Sequence, residues 1–360
     1  MRFTPILIPG TPAGQPEKID DLLDLIVYAE ELGYDGAWIT EHHSTVYGRP
    51  SPAVILSAAA ARTSRLRLGL GVIALPWHYP LDVVEDLATL DVISHGRLDP
   101  GFGRGLFPFE YKFFNSPMDE SRGRFKESLD FILEAWNTGK AALDGEYWTI
   151  PEVELLPQPV QRPMSPWLVA LSPSTISMIV ARELNGLIGP YLTPLEEVKR
   201  TFLDVWRDEL DRNGLGPNTL ELGHNQHVYV AETDEQAIAE AGEHLLWYTQ
   251  TLGGLLPSRD DTRETPQYAY YSEWRDEVLT LKGDRLFKDR AVIGSPDTVI
   301  EKVRYLRDEG GVTTFLPFMN FGTMPTDLAR RSMKLFAEEV IPPLREDAVP
   351  SIPAQVASEA

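Results

Sequence analysis

LGLGVIALPWHYPLDVVEDLATLDVISHGRLDPGFGRG, residues 68–105, carries the pattern that decides the fold. Its apolar opening predicts a strand over 66–75, its end predicts another over 97–103, and a helical pattern fills the interval. Working outward, the same alternation continues, with strands predicted over 3–8, 36–41, 167–171, 187–191, 224–231 and 312–318. Between them Ile19, Leu22, Leu23 and Ile26 repeat at helical spacing, as do Phe125, Leu129, Ile132, Leu133 and Trp136. Three junctions, EELGYDGAWI (30–39), RELNGLIGPY (182–191) and RDEGGVTTFL (307–316), each end a helix near Gly or Asn-Gly and enter an apolar strand. Eight strands with intervening helices predict a closed (β/α)8 TIM barrel, a fold of about 250 residues before insertions. An open doubly wound sheet is the competing arrangement, because alternation alone does not fix closure.

Composition narrows the function. The chain has 360 residues, 43% hydrophobic and 24% charged, as an ordinary globular protein does. With 33 basic and 54 acidic side chains its net charge is −21, which argues against general binding of nucleic acid, since phosphate backbones are held by many Lys and Arg. The absence of cysteine excludes disulfides, thiolate metal sites, iron–sulfur clusters and cysteine nucleophiles. MRFTPILIPG at the start has one Arg and a short apolar run broken by Pro9, unlike a signal peptide, and no 18-residue apolar stretch follows. A cytoplasmic protein with a small-molecule partner, and neither a membrane nor a nucleic-acid partner, is expected.

Two stretches interrupt the alternation of a single barrel domain placed at 1–345. Residues 138–166 carry an Asp-Gly turn between strand-like pieces and then five prolines, which predicts a β-hairpin and a rigid connector. Residues 252–290 include Gly253-Gly254, the charged run SRDDTRET and the aromatics Tyr268, Tyr270, Tyr271 and Trp274; a connection this long predicts a mobile lid. A loose tail is expected over 346–360.

Candidate functional residues lie where strands end. Glu41-His42-His43 closes the second strand, at the rim where barrel enzymes place catalytic groups. The alternative is a polar loop, and adjacent side chains on a strand diverge, so no metal is expected there. Gly101-Phe102-Gly103-Arg104-Gly105 follows the fourth strand, Arg122 and Arg124 begin a helix, and Ser172, Ser174 and Thr175 follow the fifth strand. Each has an ordinary structural use, as a turn, a surface ion pair or an N-cap. Together at one rim they predict a bound phosphate group. Trp77, His78 and Tyr79 lie on the same rim, as pocket lining or as core.

These residues resemble the bacterial luciferase-like monooxygenases. The resemblance rests on TEHHSTVYG (40–48), the block 68–105, SRGRF from Ser121, PQPVQRP (157–163) and ALSPSTISM (170–178), in matching order over the first half of the chain. It implies a (β/α)8 barrel that binds reduced FMN at its C-terminal rim, forms a flavin C4a-peroxide with O2, and oxygenates a mostly apolar organic molecule. By resemblance His42 matches the catalytic histidine. Arg104, the backbone at Leu106, Arg122, Ser172 and Thr175 match the groups holding the flavin phosphate, and Gly71–Val72 matches a non-proline cis peptide beside the flavin ring. A homodimer and a lid after the seventh strand are implied as well.

The chain departs from that pattern at Gly103, where luciferase has a reactive cysteine, at Leu171, where it has an acidic residue, and at Pro100 inside the fourth strand. No nicotinamide fingerprint is present, so a separate reductase is expected to supply reduced flavin. The resembled family also holds deazaflavin enzymes that transfer hydride without O2, and non-catalytic flavin-binding proteins. Both remain alternatives. A barrel retaining His42, the phosphate arginines and the lid argues against the non-catalytic one.

Overall fold

The computed structural model describes residues 1–11, 19–46, 48–189, 191–263 and 268–346. Its central strands are β1 (Ile6–Pro9), β2 (Gly36–Ile39), β3 (Arg67–Leu70, resuming at Ile73–Ala74) and β4 (Leu98–Asp99, resuming at Gly101–Gly103). β5 (Trp167–Ala170), β6 (Asn185–Ile188), β7 (Leu222–Val230) and β8 (Thr314–Gly322) complete the set. Every neighbour is parallel, and β8 returns to β1 with Phe318 opposite Ile6. The sheet is therefore a closed barrel, and the open doubly wound alternative falls.

β3 and β4 are each split, and for different backbone reasons. β3 stops at a cis Gly71–Val72 peptide. β4 stops at Pro100, which has no N–H for the ladder. Leu68 pairs with Leu98 before the breaks and Ile73 with Phe102 after them, so the register slips by one residue across the gap. The Pro100 carbonyl still serves the sheet, accepting from Trp167 N at 2.8 Å.

Strand alternation sends Ile6, Ile8, Trp38, Trp167, Leu316 and Phe318 into one buried cluster, and Leu7, Ala37, Ile39, Leu68 and Leu70 into the layer under the helices. The rings of Trp38 and Trp167 meet edge to face, 5.5 Å apart. Gly69 makes room for this, since a Cβ there would lie 2.0 Å from Trp38 Nε1. Two buried indoles thus fill the middle of the barrel, and the larger open space lies toward the C-terminal ends of the strands.

The interruptions take definite forms. Lys140–Asp144 pairs antiparallel with Thr149–Glu154, and the Glu127 carboxylate accepts the turn N–H groups of Glu146, Tyr147 and Trp148. The connector behind it contains cis prolines at 157 and 163. The 252–290 segment, where a lid is expected, is largely helical among the described residues. Helix Asp234–Leu255 runs through Gly253 and Gly254, and helices Ala269–Thr280 and Gly283–Asp289 follow. Gly253 serves packing: a Cβ there would meet Leu279 Cδ2 at 2.7 Å. Residues 264–267 of this segment, and 347–360 of the expected tail, lie outside the described residues. A short strand, Val292–Gly294, extends the far end of β7 and was not foreseen. Among the described residues no helix is long and apolar enough to cross a membrane.

Candidate active site

A cavity of about 390 Å³ opens where the strands end, lined by residues that follow β2, β3, β4, β5 and β6. Thr40, Glu41 and His42 extend β2 into its wall, and Gly71, Val72 and Ala74 bring the broken part of β3 alongside. Gly103, Arg104, Gly105 and Leu106 follow β4. The wall between β3 and β4 is necessarily flat, because a Cβ at Gly103 would stand 2.6 Å from Val72 Cγ2.

The two histidines, just past the end of β2, point to different surroundings. His42 lines the cavity, with its ring 4.9 Å from that of Phe107 and its Nδ1 3.4 Å from Glu110 Oε1. His43 is absent from the lining; its Nε2 donates to Glu41 Oε1 at 2.6 Å and its ring meets Phe114. That same Glu41 oxygen accepts His78 Nε2 at 2.6 Å and Trp77 Nε1 at 3.1 Å, while Oε2 accepts Ala74 N at 3.0 Å. Burial pushes the Glu41 carboxyl up, but the hydrogen bonds from His43, His78 and Ala74 outweigh it and bring it down to about 2. His78 loses by burial and gains more from Glu41, so its pKa is raised. Glu41, His43 and His78 also bring ligand-capable atoms within 4.8 Å of one another. The Trp77 N–H on the shared oxygen marks this group as a hydrogen-bond hub that ties the end of β2 to β3. Sequence reading missed the hub, because Glu41 and His78 stand 37 residues apart.

Part of the lining is basic. Arg104, Arg122, Lys126 and Arg182 line it together with the hydroxyl residues Ser174 and Thr175, in a chain whose net charge is −21. The Arg104 guanidinium lies 5.1 Å over the Tyr268 ring, and its buried Nη1 has no hydrogen-bond partner among the described residues. A buried guanidinium N–H without a partner is costly and points to an acceptor supplied by a ligand. Ser172 is not in the lining; its Oγ lies 3.2 Å from the hydroxyls of Ser174 and Thr175, which are. Arg124, the neighbour of Arg122, is used elsewhere: it pairs with Glu120 and covers the Tyr147 and Trp148 rings. Lys126 and Arg182 were missed, yet their signal was present. Arg122, Phe125, Lys126 and Leu129 share one helical face, as do Thr175, Met178 and Arg182, and all of them line the cavity.

The remaining wall is aromatic. Tyr191, Tyr248, Tyr271 and Phe318 close it with Asn225, and burial raises the Tyr191 phenol to about 12. Tyr271 and the Tyr268 that covers Arg104 come from the 252–290 segment, which therefore forms part of the cavity roof. The whole suits a ligand with a flat apolar body and an anionic end. The cis Gly71–Val72 edge and the aromatic wall fit the body, and the unpartnered Arg104 Nη1 fits the anion.

Comparison with known proteins bears on this arrangement. Residues 1–314 match the model of the family described as luciferase-like monooxygenase. The alkanal monooxygenase alpha chain of Photobacterium leiognathi is 27% identical over 355 residues, spanning 96% of this chain and 99% of that protein. Among solved structures, the monooxygenase RslO1 from Streptomyces bottropensis superposes with a TM-score of 0.78 at 29% identity, covering 96% of this chain and 100% of that one. The oxygenating constituent of 3,6-diketocamphane monooxygenase from Pseudomonas putida, a type II Baeyer–Villiger enzyme in complex with FMN, gives 0.77 at 19% identity, covering 95% and 98%. With its closed barrel and its rim cavity, the chain belongs to the luciferase-like monooxygenase family.

Proposed function

We propose that this protein is the oxygenating component of a two-component flavin-dependent monooxygenase, taking reduced FMN from a separate reductase and using O2 to oxygenate a mostly apolar small organic molecule. The observation that carries the reading is one cavity lined at once by a buried, unpartnered Arg104 N–H, by His42 and by an aromatic wall. Bound there, reduced FMN supplies the electrons with which O2 is split between the product and water.

The chain's own groups have separate tasks. Arg104 and Arg122 hold the phosphate as charged donors, with the Thr175 hydroxyl and the Leu106 backbone beside them. Ser172 acts one step back, orienting the Ser174 and Thr175 hydroxyls. Gly71 and Val72 present a flat backbone edge to the ring, kept clear by the missing side chain at Gly103. Tyr191, Tyr248, Tyr271 and Phe318 exclude water, which favours oxygen transfer to substrate over release of H2O2. His42 gives and takes a proton at the rim.

Anaerobic titration with photoreduced FMN and with reduced deazaflavin, followed by an O2 pulse, tests the proposal. Tight binding of reduced FMN and rapid O2 uptake by the loaded enzyme are expected. Preference for the deazaflavin, with no O2 uptake, would replace this reading by hydride transfer.

A further inference from the structure

Glu110 is a buried carboxylate of the cavity wall to which the proposed function gives no task. It sits on the short helix Pro108–Phe113, just beyond the Arg104 turn, with its side chain 2% exposed. Oε1 accepts the His43 backbone N–H at 2.8 Å and stands 3.4 Å from His42 Nδ1. Among the described residues no Lys or Arg pairs with it. A carboxylate buried without a cation is costly, and the group placed to relieve that cost is an imidazole that can become charged.

The ring of His42 has little freedom to turn away. Phe107 lies 4.9 Å from it on one side, and a Cβ at Gly48 would already touch its Cβ and Cδ2 at 2.8 Å. Nδ1 is buried and faces Glu110. A separation of 3.4 Å is longer than a formed hydrogen bond, and contacts of this kind in unliganded sites commonly tighten when the site fills.

We infer that Glu110 is a positioning residue, holding the proton on His42 Nδ1 so that Nε2 is the nitrogen that exchanges protons with the cavity. When His42 accepts a proton, an N–H bond forms at Nε2 as the donor's bond to hydrogen breaks. The resulting imidazolium faces the Glu110 carboxylate, and return of the proton restores the neutral ring. The same logic orients histidines through carboxylates in metal and hydrolytic sites. The inference rests on the role proposed for His42, but its first test does not require turnover.

Nitrogen-15 NMR of histidine-labelled protein, with the His42 signals assigned by their loss in His42→Ala, reads the tautomer directly. The Nδ1–H form is expected in the native protein, with a shift toward Nε2–H in Glu110→Gln and recovery of the native form in Glu110→Asp. An Nε2–H tautomer in the native protein, or no change in Glu110→Gln, would overturn the inference. In turnover, Glu110→Gln should lower the ratio of oxygenated product to H2O2 by about 10–100-fold, the range typical of such supporting partners, while FMN affinity moves less than about threefold. In a His42→Ala background the same substitution should add nothing. An equal further loss there would make Glu110 a general structural support. A native protein that oxygenates nothing would sink the proposed function and leave the tautomer result standing.

Discussion

Replacing Arg104 by Ala is expected to weaken FMN binding at least tenfold and to leave riboflavin binding almost unchanged. The reasoning starts from Nη1, which is buried and has no hydrogen-bond partner among the described residues. A phosphate oxygen meeting it displaces no bond within the protein, so the gain on binding is nearly that of one charge-assisted hydrogen bond. Such a bond contributes about 1.5–3 kcal/mol, and with about 1.4 kcal/mol per decade this is about 10- to 150-fold in Kd. The guanidinium also lies 5.1 Å over Tyr268, but that contact exists with and without ligand and cancels in the comparison of the two flavins. Arg104→Lys keeps the charge and loses the planar fork, so it should fall between. Isothermal titration of native and variant proteins with FMN and riboflavin, at low and high salt, measures both ratios. Equal losses for the two flavins would show that Arg104 supports structure only, and unchanged FMN affinity would remove the phosphate from this end of the cavity.

Other expectations follow from the same geometry. His42→Ala should keep the fold and most FMN affinity but divert turnover toward H2O2, with a loss in oxygenation rate of about 10²–10⁴; His43→Ala should be milder, and near-native coupling in His42→Ala would exclude that residue. Limited proteolysis without ligand should cut first between Arg259 and Lys288, with reduced FMN and substrate slowing the cut; first cleavage elsewhere, or no protection, would count against a lid in this segment. Glu41 has a folded pKa of about 2 against an ordinary 4.5, a lowered value whose stabilisation is present above pH 4.5 and lost as pH falls toward 2. That shift corresponds to something on the order of 3 kcal/mol, so urea melts should show Glu41→Gln less stable at pH 7 and the gap closing in acid; a pH-independent gap would contradict the hub.

How far the sequence could be read depends on the range of the interactions concerned. Each barrel strand was legible because its alternation and its helix-ending glycines are local, as at EELGYDGAWI before β2. Val292–Gly294 escaped because three residues hold no period; its pairing with β7 depends on a partner about 60 positions away. The divergence of His42 and His43 matches what alternation of neighbouring side chains leads one to expect, although both lie just past the end of β2. The Glu41 hub has no such local sign, because His78 and Trp77 reach it only once β2 and β3 lie side by side. Gly253-Gly254 gives no local sign of the helix that runs through it; the absence of a side chain at Gly253 lets Leu279 and Val278 of the next helix pack close. Lys126 and Arg182 were readable in principle from helical faces shared with Arg122 and Thr175, but only tertiary structure shows that both faces border one cavity.

The central claim is that this cavity seats FMN with its phosphate at Arg104 and its ring beside Gly71–Val72 and His42. The measurement that tests it most directly is a crystal structure of the protein grown anaerobically with reduced FMN. Phosphate oxygens within about 2.7–3.2 Å of Arg104 Nη1 and of Arg122 are expected, with the ring beside Gly71 and Val72 and within reach of His42. FMN bound outside this cavity, or inside it with the phosphate out of hydrogen-bond reach of Arg104, would contradict the account.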